Sequence, residues 1–123
     1  LGYALIHLGA TRTAGIATVM DMLNFDAHLA QADLVITGEG CLDDQSLHGK
    51  VVIGVAQRAA TVGVPCVALA GEVRLGKREL ASVGIDAAYA MEALVGLEQS
   101  LTQPVQSLRE LTARIARTWG RSA

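Results

Sequence analysis

The sequence predicts a three-layer α/β domain built around a mainly parallel β-sheet. Two nearly continuous apolar runs, residues 34–37 and 65–69, are typical of strands that are covered on both faces. Residues 51–62 between them have apolar side chains at helical spacing, and a shorter helix and a third strand follow. Strands that alternate with helices in this way pair in parallel through βαβ crossovers, which is a Rossmann-like arrangement.

The elements before the first strand are predicted to be helical. Residues 1–8 read as the end of an apolar helix, and residues 15–23 and 26–32 read as two helices with a break at the Asn24-Phe25 step. The chain opens on this apolar run without an initiator Met. We therefore expect its 123 residues to be a single α/β domain, or part of one, within a longer protein.

Turn residues delimit the elements that follow. Gly63 stands where the helix at residues 51–62 needs a C-terminal cap, and Pro65 prevents that helix from continuing. The shorter helix is predicted at residues 77–83 and the third strand at residues 85–89.

Pro104, at a first-turn position, predicts a last helix that packs against the domain. The apolar face of this helix is predicted to consist of Val105, Leu108, Leu111, Ile115 and Trp119. Residues 91–103, just before it, show no clear pattern.

Composition and charge exclude several classes of protein. The net charge is −2 and there is no basic cluster, which argues against a nucleic-acid-binding protein. No apolar run approaches the roughly 20 residues that a membrane span needs. Cys41 and Cys66 have neither a metal-ligand spacing nor the pattern of a disulfide scaffold, so we expect a cytoplasmic protein. Only 18% of the residues are charged, which suggests that another part of the protein covers some of the surface.

Polar residues directly follow the first predicted strand, which is where ligands bind in α/β folds. After the strand ends at Thr37, we expect Gly38-Glu39-Gly40 to form a turn whose amides suit phosphate oxygens, although a purely structural turn is the alternative. Glu39, Asp43 and Asp44 lie within six residues of one another. Carboxylates this close repel one another unless a proton or a cation offsets their charge. Mg²⁺ bound together with a phosphate substrate would use such an arrangement.

Gly49 and Lys50 begin the helix that follows this polar segment. A lysine at the positive end of a helix dipole is favourable when an anion lies between them, and a solvated lysine is the alternative. His48 could contact substrate or carry a proton, or could be a loop histidine bonded to the backbone. We expect Cys41 to be exposed in the loop. Glu72, after the second strand, could face the same crevice or be an ordinary loop residue.

Five short segments carry a longer pattern: Asp33-Leu-Val-Ile-Thr-Gly-Glu-Gly40, Asp43-x-Gln45-Ser-Leu-x-Gly49-Lys50, Gly54-Val-Ala56, Val64-Pro65 and Ala68-Leu-Ala-Gly71. Together they resemble the bacterial type I glycerate kinase family, over most of residues 1–90. Members of that family have two α/β domains with the active site in the cleft between them, and they phosphorylate glycerate with ATP and a divalent metal. The resemblance implies that this chain is the C-terminal portion of such a kinase.

The residues that match the family motif are Thr37, Gly38, Glu39, Gly40, Asp43, Gln45, Gly49 and Lys50. By this resemblance, Glu39 and Asp43 would hold Mg²⁺ or orient a glycerate hydroxyl, and Lys50 would meet a phosphate or carboxylate. The glycine amides would bind an anion, and the neighbouring Ser46 and His48 would contact substrate or phosphate. The catalytic base stays open between Glu39, Asp43 and a residue outside this chain.

Two positions depart from the family pattern. Cys41 stands where the family usually has Arg, and Ser46 stands in place of Thr. Because of the missing Arg, the alternative function is a non-catalytic ligand-binding or assembly domain that keeps the kinase fold. For the kinase, the expected partners are glycerate, ATP and the missing N-terminal portion of the protein. We expect the isolated chain to be inactive, since a two-substrate cleft needs both of its walls.

Overall fold

A computed structural model describes residues 2–11, 15–48 and 50–120 of the chain. The strands are β1 (Val35–Leu42), β2 (Cys66–Val73) and β3 (Ala87–Ala90). The helices are α1 (Gly2–His7), α2 (Gly15–Met22), α3 (Phe25–Leu29), α4 (Val51–Thr61), α5 (Lys77–Ser82), α6 (Met91–Val95), α7 (Leu97–Thr102) and α8 (Pro104–Trp119), and a short 3₁₀ helix spans Asp44–Leu47. None of the described helices is long and apolar enough to cross a membrane.

The three strands form one parallel sheet in the order β1-β2-β3. Val35 pairs with Cys66 at the start of the β1–β2 ladder, and Leu69 pairs with Tyr89 between β2 and β3. Helix α4 connects β1 to β2 and packs against both. The predicted α/β fold with parallel βαβ connections is therefore confirmed.

Apolar side chains cover the sheet on two sides. On the α4 side, Val52, Ile53 and Ala56 of the helix pack with Cys66 and Ala68 of β2. On the α8 side, Leu111 and Ile115 of that helix pack against Val67 and Leu69. Successive residues of β2 thus enter opposite cores, as expected for a strand that is covered on both faces.

Strands β1 and β2 are longer than their apolar runs predicted. The ladder continues through Glu39, which pairs with Ala70, and through Cys41, which pairs with Glu72. The prediction that the strand ends at Thr37 and that Gly38-Glu39-Gly40 forms a loop is therefore wrong, and so is the placement of Cys41 in an exposed loop. Cys41 lies in β1 and is half-buried. Polar and glycine residues still form a strand here because backbone hydrogen bonds to the neighbouring strand, and not side-chain hydrophobicity, hold them in the sheet.

Helix α8 buries part of the face that the sequence predicted. Leu111 and Ile115 are buried as expected and Trp119 packs against the same core, but Val105 and Leu108 are exposed. The buried residues of this helix are Ser107, Leu111 and Ile115, whereas Val105 is 68% exposed and Leu108 is 43% exposed. Residues four apart lie on one side of a helix, and the row through 107, 111 and 115 faces the sheet. Ser107 enters this row because its hydroxyl donates hydrogen bonds to two backbone carbonyl oxygens, those of Gln99 and Gln103.

Short helices before and after the sheet complete the described structure. Asn24 adopts a left-handed conformation with φ of 51°, which produces the predicted break between α2 and α3. Helix α3 ends at Leu29, earlier than predicted. Residues 91–103, which the sequence left undetermined, form α6 and α7 and pack next to α8.

Candidate functional site

The candidate site lies where β1 ends and α4 begins. Glu39 is on the same face of β1 as Val35, which packs into the core on the α4 side. Its Oε2 is 3.8 Å from Nζ of Lys50, the residue that immediately precedes α4. The Glu39 side chain is only 18% exposed, while that of Lys50 is 43% exposed. The pair therefore joins a largely buried carboxylate to a cation at the surface.

Ser46 connects this ion pair to Asp43. The Lys50 ammonium donates to Ser46 Oγ at 3.5 Å, and Ser46 Oγ lies 3.4 Å from Asp43 Oδ1. Ser46 is fully buried, and its hydroxyl also lies 3.3 Å from the carbonyl oxygen of Cys41. The structure thus brings four of the predicted site residues, Glu39, Asp43, Ser46 and Lys50, into one connected group.

Asp43 caps the 3₁₀ helix that forms the turn between β1 and α4. Its Oδ1 accepts hydrogen bonds from the backbone amides of Gln45 at 3.0 Å and Ser46 at 3.2 Å. In return, the backbone amide of Asp43 donates to Ser46 Oγ at 3.2 Å, which completes a capping box. Asp43 therefore has a structural role that the sequence prediction did not include, in addition to its place in the group.

Substitutions at Asp43 should separate the cap from the charge. Asn caps a helix about as well as Asp, so Asp43→Asn is expected to leave thermal stability nearly unchanged. Asp43→Ala removes the cap and should cost about 1 kcal/mol of unfolding free energy. If both substitutions lower turnover in a protein of the relatives' length but only Asp43→Ala lowers stability in urea unfolding, the charge has a role of its own. Equal turnover of Asp43→Asn and wild type would show that Asp43 is only a cap.

Glu39 has a buried oxygen without a partner. Among the described residues, nothing donates a hydrogen bond to its Oε1. A buried carboxylate oxygen is costly to leave unpaired, so this position favours a cation or a donor supplied from outside the described residues. Magnesium commonly binds through one or two carboxylates together with substrate phosphates, and Glu39 fits that mode. No three His, Cys, Asp or Glu side chains come together as a metal cluster in the part of the chain described.

The remaining predicted residues lie around this group. Thr37 is half-buried on the same face of β1 as Glu39, and Gly38 and Gly40 alternate with them on the opposite, exposed face. Gln45 lines a cleft beside the group. His48 is exposed, and its Nδ1 lies 3.0 Å from the carbonyl oxygen of Asp44, which is the backbone-bonded alternative considered above.

Gly49 lies outside the described residues.

The sequence prediction missed Arg74. This residue follows β2 and forms a bidentate ion pair with Glu72. Its Nε lies 2.6 Å from Glu72 Oε1, and its Nη2 lies 2.8 Å from Glu72 Oε2. These hydrogen bonds lower the pKa of the Glu72 carboxyl and raise the pKa of the Arg74 guanidinium. The i, i+2 spacing of Glu72 and Arg74 was the signal available in the sequence, since alternate residues of an extended chain share a face.

The two thiols differ in their surroundings. Cys41 Sγ donates to Glu72 Oε2 at 3.8 Å, across the β1–β2 ladder. Desolvation raises the pKa of the Cys41 thiol, the Glu72 and Asp43 carboxylates raise it further, and Arg74 opposes them. Burial raises the pKa of the Cys66 thiol to about 11. Both residues are therefore neutral thiols near pH 7, and Cys41 brings no charge to the site.

Comparisons with known proteins identify relatives over nearly the whole chain. The sequence profile described as "Glycerate kinase family" matches residues 1–120. An uncharacterized protein of Mycobacterium bovis is 37% identical over 123 residues, covering 99% of this chain and 32% of that protein. A glycerate kinase of Halalkalibacterium halodurans is 38% identical over 127 aligned positions, covering 99% of this chain and 33% of that protein.

A solved structure agrees with these sequence relatives. It is the crystal structure of a protein of the glycerate kinase type from Salmonella typhimurium LT2, with a TM-score of 0.58 and 34% sequence identity. The match covers 94% of this chain and 30% of that one. The chain thus spans about a third of the length of the relatives it matches.

Proposed function

This chain belongs to the glycerate kinase family, and we propose that it is part of an enzyme that phosphorylates glycerate to phosphoglycerate with ATP. The observation that carries the proposal is the connected group of Glu39, Lys50, Ser46 and Asp43 beside the carboxyl end of a parallel strand. Ligands bind at this edge of α/β sheets. A cytoplasmic location, expected from the composition, is part of the same proposal.

The group has the charges that phosphoryl transfer needs. The transfer passes through a transition state whose negative charge must be positioned and stabilised, and the protein does little covalent chemistry. Lys50, partly exposed at the start of α4, is placed to meet a phosphate oxygen, and the positive end of the α4 dipole would attract the same anion. Glu39, through its unpaired Oε1, would hold Mg²⁺ or accept a hydrogen bond from a glycerate hydroxyl.

The chemistry that Mg²⁺ would supply here is positive charge, which would neutralise part of the negative charge of the phosphate groups. Glu39 and Asp43 are the residues of this chain that would hold it, together with oxygens of the nucleotide. Asp43 would do so through Oδ2, because the hydrogen bonds that it accepts within the described residues all involve Oδ1.

The remaining length of the protein would supply the other wall of the cleft. The relatives are about three times as long as this chain, and β1 is an edge strand whose Ile36 side chain is 52% exposed. Parallel sheets are covered on both faces in stable proteins. The face of β1 that carries Ile36 therefore needs a further element to cover it. An N-terminal portion of the same polypeptide would cover it.

The function is tested by comparing two proteins in one assay. A polypeptide of the relatives' length that contains this chain is expected to phosphorylate glycerate when ATP and Mg²⁺ are present. The 123-residue chain alone is expected to show no turnover, because effective positioning of two substrates requires both walls. Product is measured by separating phosphoglycerate from glycerate, with a chelator of divalent cations as the control.

Two outcomes would contradict the proposal. A folded protein of full length that phosphorylates none of a panel of hydroxy acids would exclude the kinase. Turnover by the isolated chain would show that the active site has been placed wrongly.

One observation favours a second function, a non-catalytic ligand-binding or assembly domain. Cys41 is a neutral thiol at a position where the resemblance described above implies an Arg. A protein of that kind would bind glycerate or a nucleotide in calorimetry and transfer no phosphate.

A further inference from the structure

A small cleft opens beside the Glu39–Lys50 group, at the ends of β1 and β2. It has a volume of about 300 Å³ and is lined by Asp43, Asp44, Gln45 and Arg74. Asp43 belongs to both the cleft and the group, so a ligand in the cleft would lie next to the proposed site of phosphoryl transfer. Arg74 is the cation among the lining residues.

Arg74 is held in place from two directions. Its backbone amide donates to the carbonyl oxygen of Leu42 at 2.9 Å, which ties it to the end of β1. Its side chain is oriented by the bidentate ion pair with Glu72. A guanidinium has five N–H donors, and this pair uses one edge of it. Among the described residues, nothing accepts a hydrogen bond from the other N–H groups of its side chain, which leaves them for a ligand. A side chain that is already oriented also loses less entropy when it binds one.

The lining residues select the chemistry of the ligand. A multiply charged anion such as free phosphate would be repelled by the Asp43 and Asp44 carboxylates. An uncharged polyol would leave the guanidinium donors without a charged partner. A small hydroxy acid satisfies both requirements, since its carboxylate matches the planar fork of Arg74 and its hydroxyls can donate to Asp43 or Gln45.

We propose that Arg74 binds the carboxylate of glycerate and is the residue of this chain that selects a hydroxy acid over a polyol. The proposal rests on the proposed function, because it takes glycerate as the substrate. Glu72 is then a positioning residue, since it orients the guanidinium and does not touch the substrate.

The test uses a polypeptide of the relatives' length and three variants. Arg74→Met removes the charge and keeps the length of the side chain, and Arg74→Lys keeps the charge without the planar fork. Arg78→Met is the matched control, because Arg78 is an exposed arginine of α5 that lies outside the cleft. Each protein is titrated with glycerate in calorimetry without ATP, and KM is measured for glycerate and for ATP.

Arg74→Met is expected to raise both Kd and KM for glycerate on the order of 10–100-fold, as expected for the loss of a hydrogen-bonded charge. KM for ATP should stay unchanged. Arg74→Lys should cause a smaller rise, and it keeps the test valid if the Met variant does not fold. Arg78→Met should match wild type.

Three outcomes would overturn the proposal. The first is an unchanged Kd for glycerate in Arg74→Met, and the second is an equal rise of that Kd in the Arg78→Met control. The third is a rise in KM for ATP in Arg74→Met as large as the rise for glycerate, which would assign Arg74 to phosphate binding. A wild-type protein that binds glycerate without phosphorylating it would contradict only the proposed function, and the effect of Arg74→Met on Kd would still decide this proposal.

Discussion

Glu39→Gln and Lys50→Ala are each expected to lower turnover on the order of 10²–10³-fold in a protein of the relatives' length. Glu39 presents a buried carboxylate oxygen that has no partner among the described residues, and Gln in its place would lose the charge that attracts a cation. Lys50 lies between this carboxylate and Ser46, at the start of α4. In the proposed reaction, a charge in this position would act on the phosphoryl group during its transfer, so its removal should lower kcat more than it changes binding.

Stability should change little in these two variants. The contact between Lys50 Nζ and Glu39 Oε2 is long, at 3.8 Å, and the Lys50 side chain is 43% exposed. Ion pairs of this kind contribute about 0–1 kcal/mol. Glu39→Gln keeps the shape of the side chain and removes a charge that is largely buried. Thermal unfolding and steady-state kinetics, measured on the same preparations, separate a catalytic role from a structural one.

Matched controls for these variants exist in the chain. Lys77→Ala removes a lysine from the first turn of α5, and Glu98→Gln neutralises a carboxylate in the first turn of α7. Both control residues are exposed and lie away from the site, so near-native kinetics are expected. Folded Glu39→Gln and Lys50→Ala proteins with turnover close to that of the controls would remove the case for this group as the catalytic site.

Gly38→Ala is expected to destabilise the domain by roughly 2 kcal/mol or more, because overpacking at a site that cannot relax costs about this much. A Cβ atom at position 38 would lie 2.2 Å from the backbone carbonyl oxygen of Leu69 on the neighbouring strand. That oxygen belongs to the sheet, so the two strands would have to separate to admit the methyl group. Equilibrium unfolding in urea measures the loss directly.

Gly40→Ala is the control, two residues further along the same strand. A Cβ atom there would meet no atom within 4 Å. The same substitution should therefore change the free energy of unfolding by less than about 1 kcal/mol. Equal stability of Gly38→Ala and Gly40→Ala would contradict the close contact between position 38 of β1 and the Leu69 carbonyl oxygen of β2.

The parts of the fold that depend on local pattern were predictable. The apolar run at residues 34–37 appears in the structure as part of β1, and the helical spacing of residues 51–62 appears as α4. A strand that is buried on both faces is apolar throughout, whereas a helix that is buried on one face has apolar residues every three or four positions. The group of Glu39, Asp43, Ser46 and Lys50 was predictable for a similar reason. These residues lie within twelve positions of one another, so any turn that joins β1 to α4 keeps them close.

Other features could not be read from a local pattern. The sequence placed the end of β1 at Thr37 because apolar residues stop there, whereas pairing with β2 carries the strand on to Leu42. It placed Leu111 in the core correctly but added Val105 and Leu108, whereas the packing of α8 against β2 buries Ser107 instead. In each case, packing between elements overrides the pattern of a single element.

The sequence by itself determined the order of the three strands and of the helices other than α6 and α7. It also determined the presence of a polar, carboxylate-rich segment at the end of the first strand. Periodicity, caps and turn residues are properties of neighbouring positions, so they can be read without knowing the fold. Only the tertiary structure decided that Cys41 lies opposite Glu72 and that Arg74 shares a cleft with Asp43. Cys41 and Glu72 are 31 positions apart, as are Asp43 and Arg74, and the register between β1 and β2 sets both contacts. That register arises from the packing of the sheet between its helices, since a shift of one residue would turn every buried side chain of a strand to the wrong face.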